Sequence, residues 1–235
     1  QPDWQAETQR KQKFTVPNIV FMGMGEPLDN VENLIRSIRI FSDPFGLGLG
    51  MRKISVSTAG HLPGLNQLLQ ELANVRVALS VHQCDEAKRS KIMPINRRWP
   101  LQDVAARLAT YARASGISPL LQYTLIAGVN DSDDDARGLT ALARSASAKV
   151  NLIPLNPIAP SLLRPPSRER MQAFRNVLHD EGVRTTVRYS KGPDIAAACG
   201  QLAQFPSCCQ SFTILLQLQF KQVGYRQEIE VASPP

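Results

Sequence analysis

The stretch Asn18-Ile19-Val20-Phe21-Met22-Gly23-Met24-Gly25-Glu26-Pro27-Leu28-Asp29-Asn30 decides how the rest of the chain is read. A short apolar run ends in two glycines, a carboxylate and a proline. Val31, Leu34, Ile35 and Ile38 then fall at helical spacing, so a helix is expected from Asn30 to Phe41. The pattern describes a buried strand delivering a polar loop to its carboxyl end, where ligands bind in barrel-like α/β proteins. Gly23 and Gly25 let backbone approach a ligand closely, and Pro27 stiffens the turn that directs Glu26.

The same plan recurs downstream. After a glycine-rich turn (Gly46, Gly48, Gly50), Lys53 to Ser57 alternates as a strand and empties into Thr58-Ala59-Gly60. A helix near Leu62 to Glu71 precedes the apolar strand Val75 to Val81, which ends at His82. Leu101 to Ser115 carries one apolar stripe, and Leu120 to Ile126 is the next strand. Asp133, Asp134 and Asp135 suit a helix amino terminus, where the dipole favours negative charge. Lys149 to Leu155 forms a further strand ending in Asn156-Pro157, and Ser167 caps a helix bearing Met171, Phe174 and Leu178. A strand at Thr185 to Arg188 and a helix near Asp194 to Leu202 complete the series. Regular alternation of strand and helix implies parallel strands with right-handed crossovers, either in a full or partial barrel or in an open sheet.

Three regions follow: a polar lead-in over 1–17 that ends a helix, an α/β domain over 18–203, and a tail over 204–235 with no functional reading. At 235 residues and 43% hydrophobic content the chain can bury a sizeable core. No apolar run is long enough to span a membrane and no signal-peptide pattern opens the chain, so a cytoplasmic location without membrane partners is expected. The formal net charge of +7 favours a polyanionic partner. Candidate contributors are Arg52-Lys53, a turn at Lys88-Arg89-Ser90-Lys91, Arg97-Arg98, and Arg164 with Arg168 and Arg170. The four cysteines, Cys84, Cys199, Cys208 and Cys209, show neither zinc-ribbon nor disulfide spacing, so no metal ligands are expected in this chain.

Polar residues collect at the strand carboxyl ends: Gly25-Glu26, Ser57-Thr58, Ser80 with His82, and Asn156. Each alone has an ordinary structural reading: a satisfied turn serine, a structural histidine, a turn-forming Asn-Pro pair. On one barrel mouth they suggest a ligand carrying amino, hydroxyl and carboxylate groups. Cys199, on the terminal helix, reads from composition as a buried small hydrophobe.

Five ordered motifs carry a resemblance: Val20-Phe21-Met22-Gly23-Met24-Gly25-Glu26-Pro27, Ser55-Val56-Ser57-Thr58-Ala59-Gly60, Ala78-Leu79-Ser80-Val81-His82, Asn151-Leu152-Ile153-Pro154-Leu155-Asn156-Pro157 and Ala198-Cys199-Gly200-Gln201-Leu202. From about residue 18 to 203 the chain resembles the RlmN/Cfr family of radical S-adenosylmethionine methyltransferases. The resemblance implies an α/β fold, a partial parallel (β/α) barrel of the radical SAM type, truncated at its amino-terminal side. It implies that Gly25 and Glu26 hold the amino end of S-adenosylmethionine, with Ser57, the Ser80-Val81-His82 segment and Asn156 completing the site. It further implies that Cys199 carries the methyl group to adenine C2 of 23S rRNA, with tRNA as a second candidate substrate.

The family holds a 4Fe-4S cluster, served by an electron donor, on a Cys-x-x-x-Cys-x-x-Cys loop that this sequence does not contain. The family's second redox cysteine and its glutamate proton acceptor also have no matching positions. The expectation is therefore a chain that begins before the second barrel strand and is inactive alone, its activity belonging to the full-length parent. The alternatives are a non-catalytic fragment that binds S-adenosylmethionine or RNA, and a methyltransferase acting at adenine C8.

Overall fold

The computed structural model describes residues 18–23, 25–156 and 162–189. Six strands form one sheet: β1 (Ile19–Phe21), β2 (Ile54–Thr58), β3 (Arg76–Ser80), β4 (Leu120–Leu125), β5 (Lys149–Pro154) and β6 (Thr185–Val187). Every pairing is parallel, and the spatial order of the strands equals their order in the chain. That order selects among the architectures left open above. A doubly wound sheet reverses direction at a switch point, whereas here each crossover steps the same way. Right-handed crossovers then put all the helices on one face and leave the other face concave, which is a partial barrel.

The helices are α1 (Val31–Ser42), α2 (Leu62–Glu71), α3 (Glu86–Ile92), α4 (Leu101–Ser115), α5 (Asp133–Ser145) and α6 (Arg168–Asp180). Their inward stripes meet the helix-facing residues of the strands in one core. Along β2, Ile54 and Val56 enter that core while Ser55 and Ser57 alternate to the concave side. Along β4, Leu121, Tyr123 and Leu125 pack outward against the helices, and Gln122 and Thr124 alternate inward. Helix α4 buries Leu101, Val104, Ala105, Leu108 and Ala112 and stops at Gly116, whose φ of 66° is the left-handed conformation glycine adopts without strain. Ser132 caps α5 in a reciprocal capping box with Asp135, and Ser167 caps α6.

Two parts of the β3-to-α4 connection differ from the sequence reading. Residues Lys88 to Lys91, expected as a basic surface turn, lie within α3, and Arg89 is 0% exposed. A 3-10 turn, Pro94–Arg97, follows it. A seven-residue helix whose inward face is one arginine has no apolar stripe to reveal it. Arg170, also expected to be free for a polyanion, is paired with Asp133 at 2.5 Å. The lead-in 1–17, the helix near 194–202 with Cys199, and the tail 204–235 lie outside the described residues. Among the described residues no helix is long and apolar enough to cross a membrane.

Candidate active site

The loop after β1 is built around Glu26. Its Oε2 accepts the Ala59 N–H at 2.6 Å, and its Oε1 accepts the Leu28 N–H at 3.1 Å, capping the 3-10 turn Pro27–Asn30. The carboxylate thus ties the ends of β1 and β2 together. Burial raises its pKa, opposed by the bonds from Ala59, Leu28 and the Thr58 side chain. A carboxylate offers about four lone-pair directions, so half-buried Glu26 retains acceptor capacity beyond these main-chain bonds. Of the two loop glycines, Gly25 is the one with positive φ, at 89°, and a Cβ there would meet nothing within 4 Å. Gly64 of α2 is required by contact instead: a Cβ would lie 2.7 Å from the Leu28 carbonyl oxygen. This close approach seats the Pro27–Asn30 turn on the start of α2.

At the end of β3 the chain makes a γ-turn, with the Gln83 N–H donating to the Val81 carbonyl at 2.8 Å and His82 at the apex with φ 57°. This non-glycine left-handed residue persists because its surroundings hold it on several sides. The Thr124 N–H donates to His82 Nδ1 at 3.0 Å, and Asn130 Nδ2 donates to the His82 carbonyl at 2.6 Å. Nδ1 is an acceptor, so the neutral ring carries its proton on Nε2, leaving that N–H for a ligand acceptor. Burial, and then the Arg89 guanidinium, lower the imidazole to about 4, so it is neutral at physiological pH.

Arg89 holds these ends from behind. Its Nε donates to the Val81 carbonyl at 3.1 Å, and its Nη2 to the carbonyls of Ala59 at 2.8 Å and Ser80 at 3.0 Å. Nη1 donates to Asn96 Oδ1 at 2.5 Å. Asn96 in turn donates to Glu86 Oε2 at 2.6 Å, and Glu86 accepts the Gln102 N–H at the start of α4. Burial lowers the Arg89 pKa to about 10, countered by Glu86, so the side chain remains a cation. One buried guanidinium therefore joins the ends of β2 and β3 through main-chain oxygens.

On the concave wall, Ser57 Oγ donates to Gln122 Oε1 at 3.4 Å, and Gln122 Nε2 approaches Met22 Sδ at 3.9 Å. Ser80 and Gln122 are register partners, as are Gln122 and Asn151. Half-buried Asn156 follows β5, whose last tie to β4 is the Leu155 N–H to the Leu125 carbonyl at 3.1 Å. Gly25, Glu26, Ser57, Ser80, Val81, His82 and Asn156 all sit at strand carboxyl ends or just beyond them. Cys199 is outside the described residues. Arg89, Asn130 and Gln122 were missed by sequence reasoning. Only Gln122, a lone amide in an apolar strand, leaves a signal there.

The donor set suits the polar end of S-adenosylmethionine: a carboxylate for an ammonium, and a hydroxyl and an imidazole N–H for oxygen acceptors. It does not suit a 4Fe-4S cluster. Among the described residues no three His, Cys, Asp or Glu side chains converge as a metal site. Cys84, the one described cysteine, has its thiol pushed up to about 12, chiefly by burial and next by Asp135, so it is no thiolate ligand at neutral pH.

A one-way parallel sheet with polar groups at its strand carboxyl ends is the α/β partial-barrel class with a candidate ligand site at its mouth, and comparison with known proteins narrows it. No family model matches the chain. It is 47% identical over 189 residues to the probable dual-specificity RNA methyltransferase RlmN of Moorella thermoacetica, covering 80% of this chain and 53% of that protein. It is 44% identical over 186 residues to the dual-specificity RNA methyltransferase RlmN of Sorangium cellulosum, covering 79% of this chain and 48% of that protein. A solved radical SAM methyltransferase from Sphaerobacter thermophilus superposes with a TM-score of 0.76 at 42% identity, over 83% of this chain and 57% of that one. A domain of a pyruvate-formate lyase-activating enzyme from Bacteroides vulgatus, at 19% identity and a TM-score of 0.57, shares the fold over 73% of this chain and 98% of its own. The chain belongs to the RlmN family of radical SAM methyltransferases and spans about half the length of the curated relatives it matches.

Proposed function

We propose that this chain is the carboxyl-terminal part of a cytoplasmic enzyme that methylates C2 of an adenine in 23S rRNA, and in tRNA, using S-adenosylmethionine. What supports the reading is the convergence of the Glu26 loop, Ser57, His82 and Asn156 on one barrel mouth, in a chain 47% identical to a protein named as an RNA methyltransferase. S-adenosylmethionine, when bound, supplies the methyl group and the radical chemistry of the class. Glu26 would accept hydrogen bonds from its ammonium, with Gly25 allowing close main-chain approach. Ser57 Oγ, the Ser80 to His82 segment and Asn156 would fix its hydroxyl and carboxylate oxygens. The Ser80 to His82 segment is held by Arg89 and Asn130 before any ligand arrives, which cuts the ordering cost of binding. Cys199 is the sulfur assigned to carry the methyl group, and that role requires a thiolate at the moment of transfer.

The test joins this chain to the upstream half of the Sorangium cellulosum relative and analyses the modified base by mass spectrometry. The expected product is 2-methyladenine, formed only with iron present and abolished by Cys199→Ala. Turnover surviving in Cys199→Ala sinks the role given to that residue, and an 8-methyladenine product sinks the C2 assignment. Calorimetry with S-adenosylmethionine on the 235-residue chain separates a binding fragment from an enzyme. Binding lost in Glu26→Ala, with no methylation by the joined protein, supports the fragment.

A further inference from the structure

The connection from β3 to α4 lies at the mouth, because α4 begins there and runs back to the opposite end of the sheet before β4. Its outer surface presents Lys91, Arg97 and Arg98, all exposed. None of the three takes part in an ion pair among the described residues. The Arg98 guanidinium lies 4.8 Å over the Trp99 ring, and the Trp99 edge meets His61 at 4.3 Å and 75°. His61 itself caps α2, its Nδ1 accepting the Gly64 N–H at 3.0 Å. Arg98 therefore stands on an aromatic support that continues through His61 to the loop ends of β1 and β2. Lys88 is different: it shares a groove with Asp85, Asp134 and Asp135, which neutralise its neighbourhood.

The adjacent β4-to-α5 connection carries Asp131, Asp133, Asp134 and Asp135, of which Asp133 is paired with Arg170 and Asp134 with Arg137. A polyanion approaching the mouth is attracted to these three cations (Lys91, Arg97 and Arg98), which no acidic side chain pairs among the described residues. We infer that Lys91, Arg97 and Arg98, the last of them stacked on Trp99, form a docking rim at the mouth for the phosphate backbone of an RNA. The inference rests on the reading that the substrate is RNA.

The test measures anisotropy of a fluorescein-labelled RNA hairpin with an unpaired loop adenine, titrated with the full 235-residue chain over a salt series. One variant neutralises the rim (Lys91→Gln, Arg97→Gln, Arg98→Gln). A control removes the same charge at the opposite end of the barrel (Arg76→Gln, Arg113→Gln, Lys149→Gln), where all three side chains are exposed. With a slope of roughly 0.7 per single-strand phosphate contact, losing three contacts lowers the salt slope by about 2 and weakens binding about 100-fold at ~0.1 M salt. The control is expected to retain the full slope. In a Trp4→Phe background the RNA is expected to quench Trp99 emission, and unchanged emission at saturation overturns the rim placement. Binding by the unaltered chain with equal losses in both variants, or with none in the rim variant, overturns this inference alone. No binding by the unaltered chain overturns the RNA reading with it.

Discussion

Replacing Arg89 by Met keeps a long apolar stem in the core and deletes the guanidinium, which takes a donor from the carbonyls of Ala59, Ser80 and Val81 and from the Asn96 amide oxygen. Of these, Val81 keeps the Gln83 N–H and Asn96 the Leu101 N–H. Each buried acceptor left unpaired costs about 1–3 kcal/mol, so the gross loss at the Ala59 and Ser80 carbonyls is on the order of 2–6 kcal/mol. Releasing the cation from its desolvated position offsets part of that, the Glu86 carboxylate left without it adds to the loss, and breaking a buried charge network typically nets about 3–5 kcal/mol. Urea denaturation reads this directly: with a slope of about 2–3 kcal/mol/M, the midpoint falls by roughly 1–2 M. A second readout is local. Arg89 helps depress the His82 imidazole, so the variant's His82 titration, followed by NMR, moves up from about 4. A stability loss under about 1 kcal/mol, which is within surface-mutation behaviour, together with an unmoved His82 titration, would refute the claim that this cation organises the mouth.

Acidification from pH 6.5 to 4 is expected to destabilise the fold through His82. Its folded pKa of about 4 lies below the ordinary 6.5, so the unfolded chain binds more protons in that window and stability rises with pH. The contribution is on the order of 3 kcal/mol, and His82→Gln should flatten that part of a urea-unfolding pH profile. Gly64→Ala drives a methyl to within 2.7 Å of the Leu28 carbonyl oxygen. It should cost about 1–3 kcal/mol and weaken S-adenosylmethionine binding in calorimetry by displacing the Glu26 turn, whereas unchanged affinity would separate that turn from the ligand. Ser132→Ala removes one half of the α5 capping box and frees Asp135, the partner of Gln83 Nε2 at 3.1 Å. A loss of about 1 kcal/mol corresponds to roughly 2–4 °C in melting temperature, and an unchanged melting curve would contradict the cap.

Much of this architecture could be read from the residues because each strand is an apolar run ended by small polar groups, and each long helix has one apolar stripe. Val75 to Val81 and Leu120 to Ile126 show this, with observed strands inside both spans. The closing geometry was not readable from the alternation, which a partial barrel and an open sheet share; the family resemblance supplied it, and the pairing order bears it out. In the site, the loop ends were visible but their fastenings were not. Arg89 and Asn130 bond mainly to main-chain atoms, so nothing in the partner residues signals them. Glu26 was anticipated as a ligand group, and its oxygens also bind the Ala59 and Leu28 amides. A carboxylate that caps a turn and one that meets a ligand look alike in a string of letters.

The acceptors of Arg89 on β2 and β3 are carbonyl oxygens, which every amino acid possesses. The side chains of half-buried Ala59 and Ser80 can therefore vary without untying the strand ends, provided the arginine stays and Val81 continues to fill the core. Frame and lining are in this sense separately inherited. A protein engineer could redraw the lining at Ala59 and Ser80 for a different small molecule, and the scaffold presenting it would keep its shape.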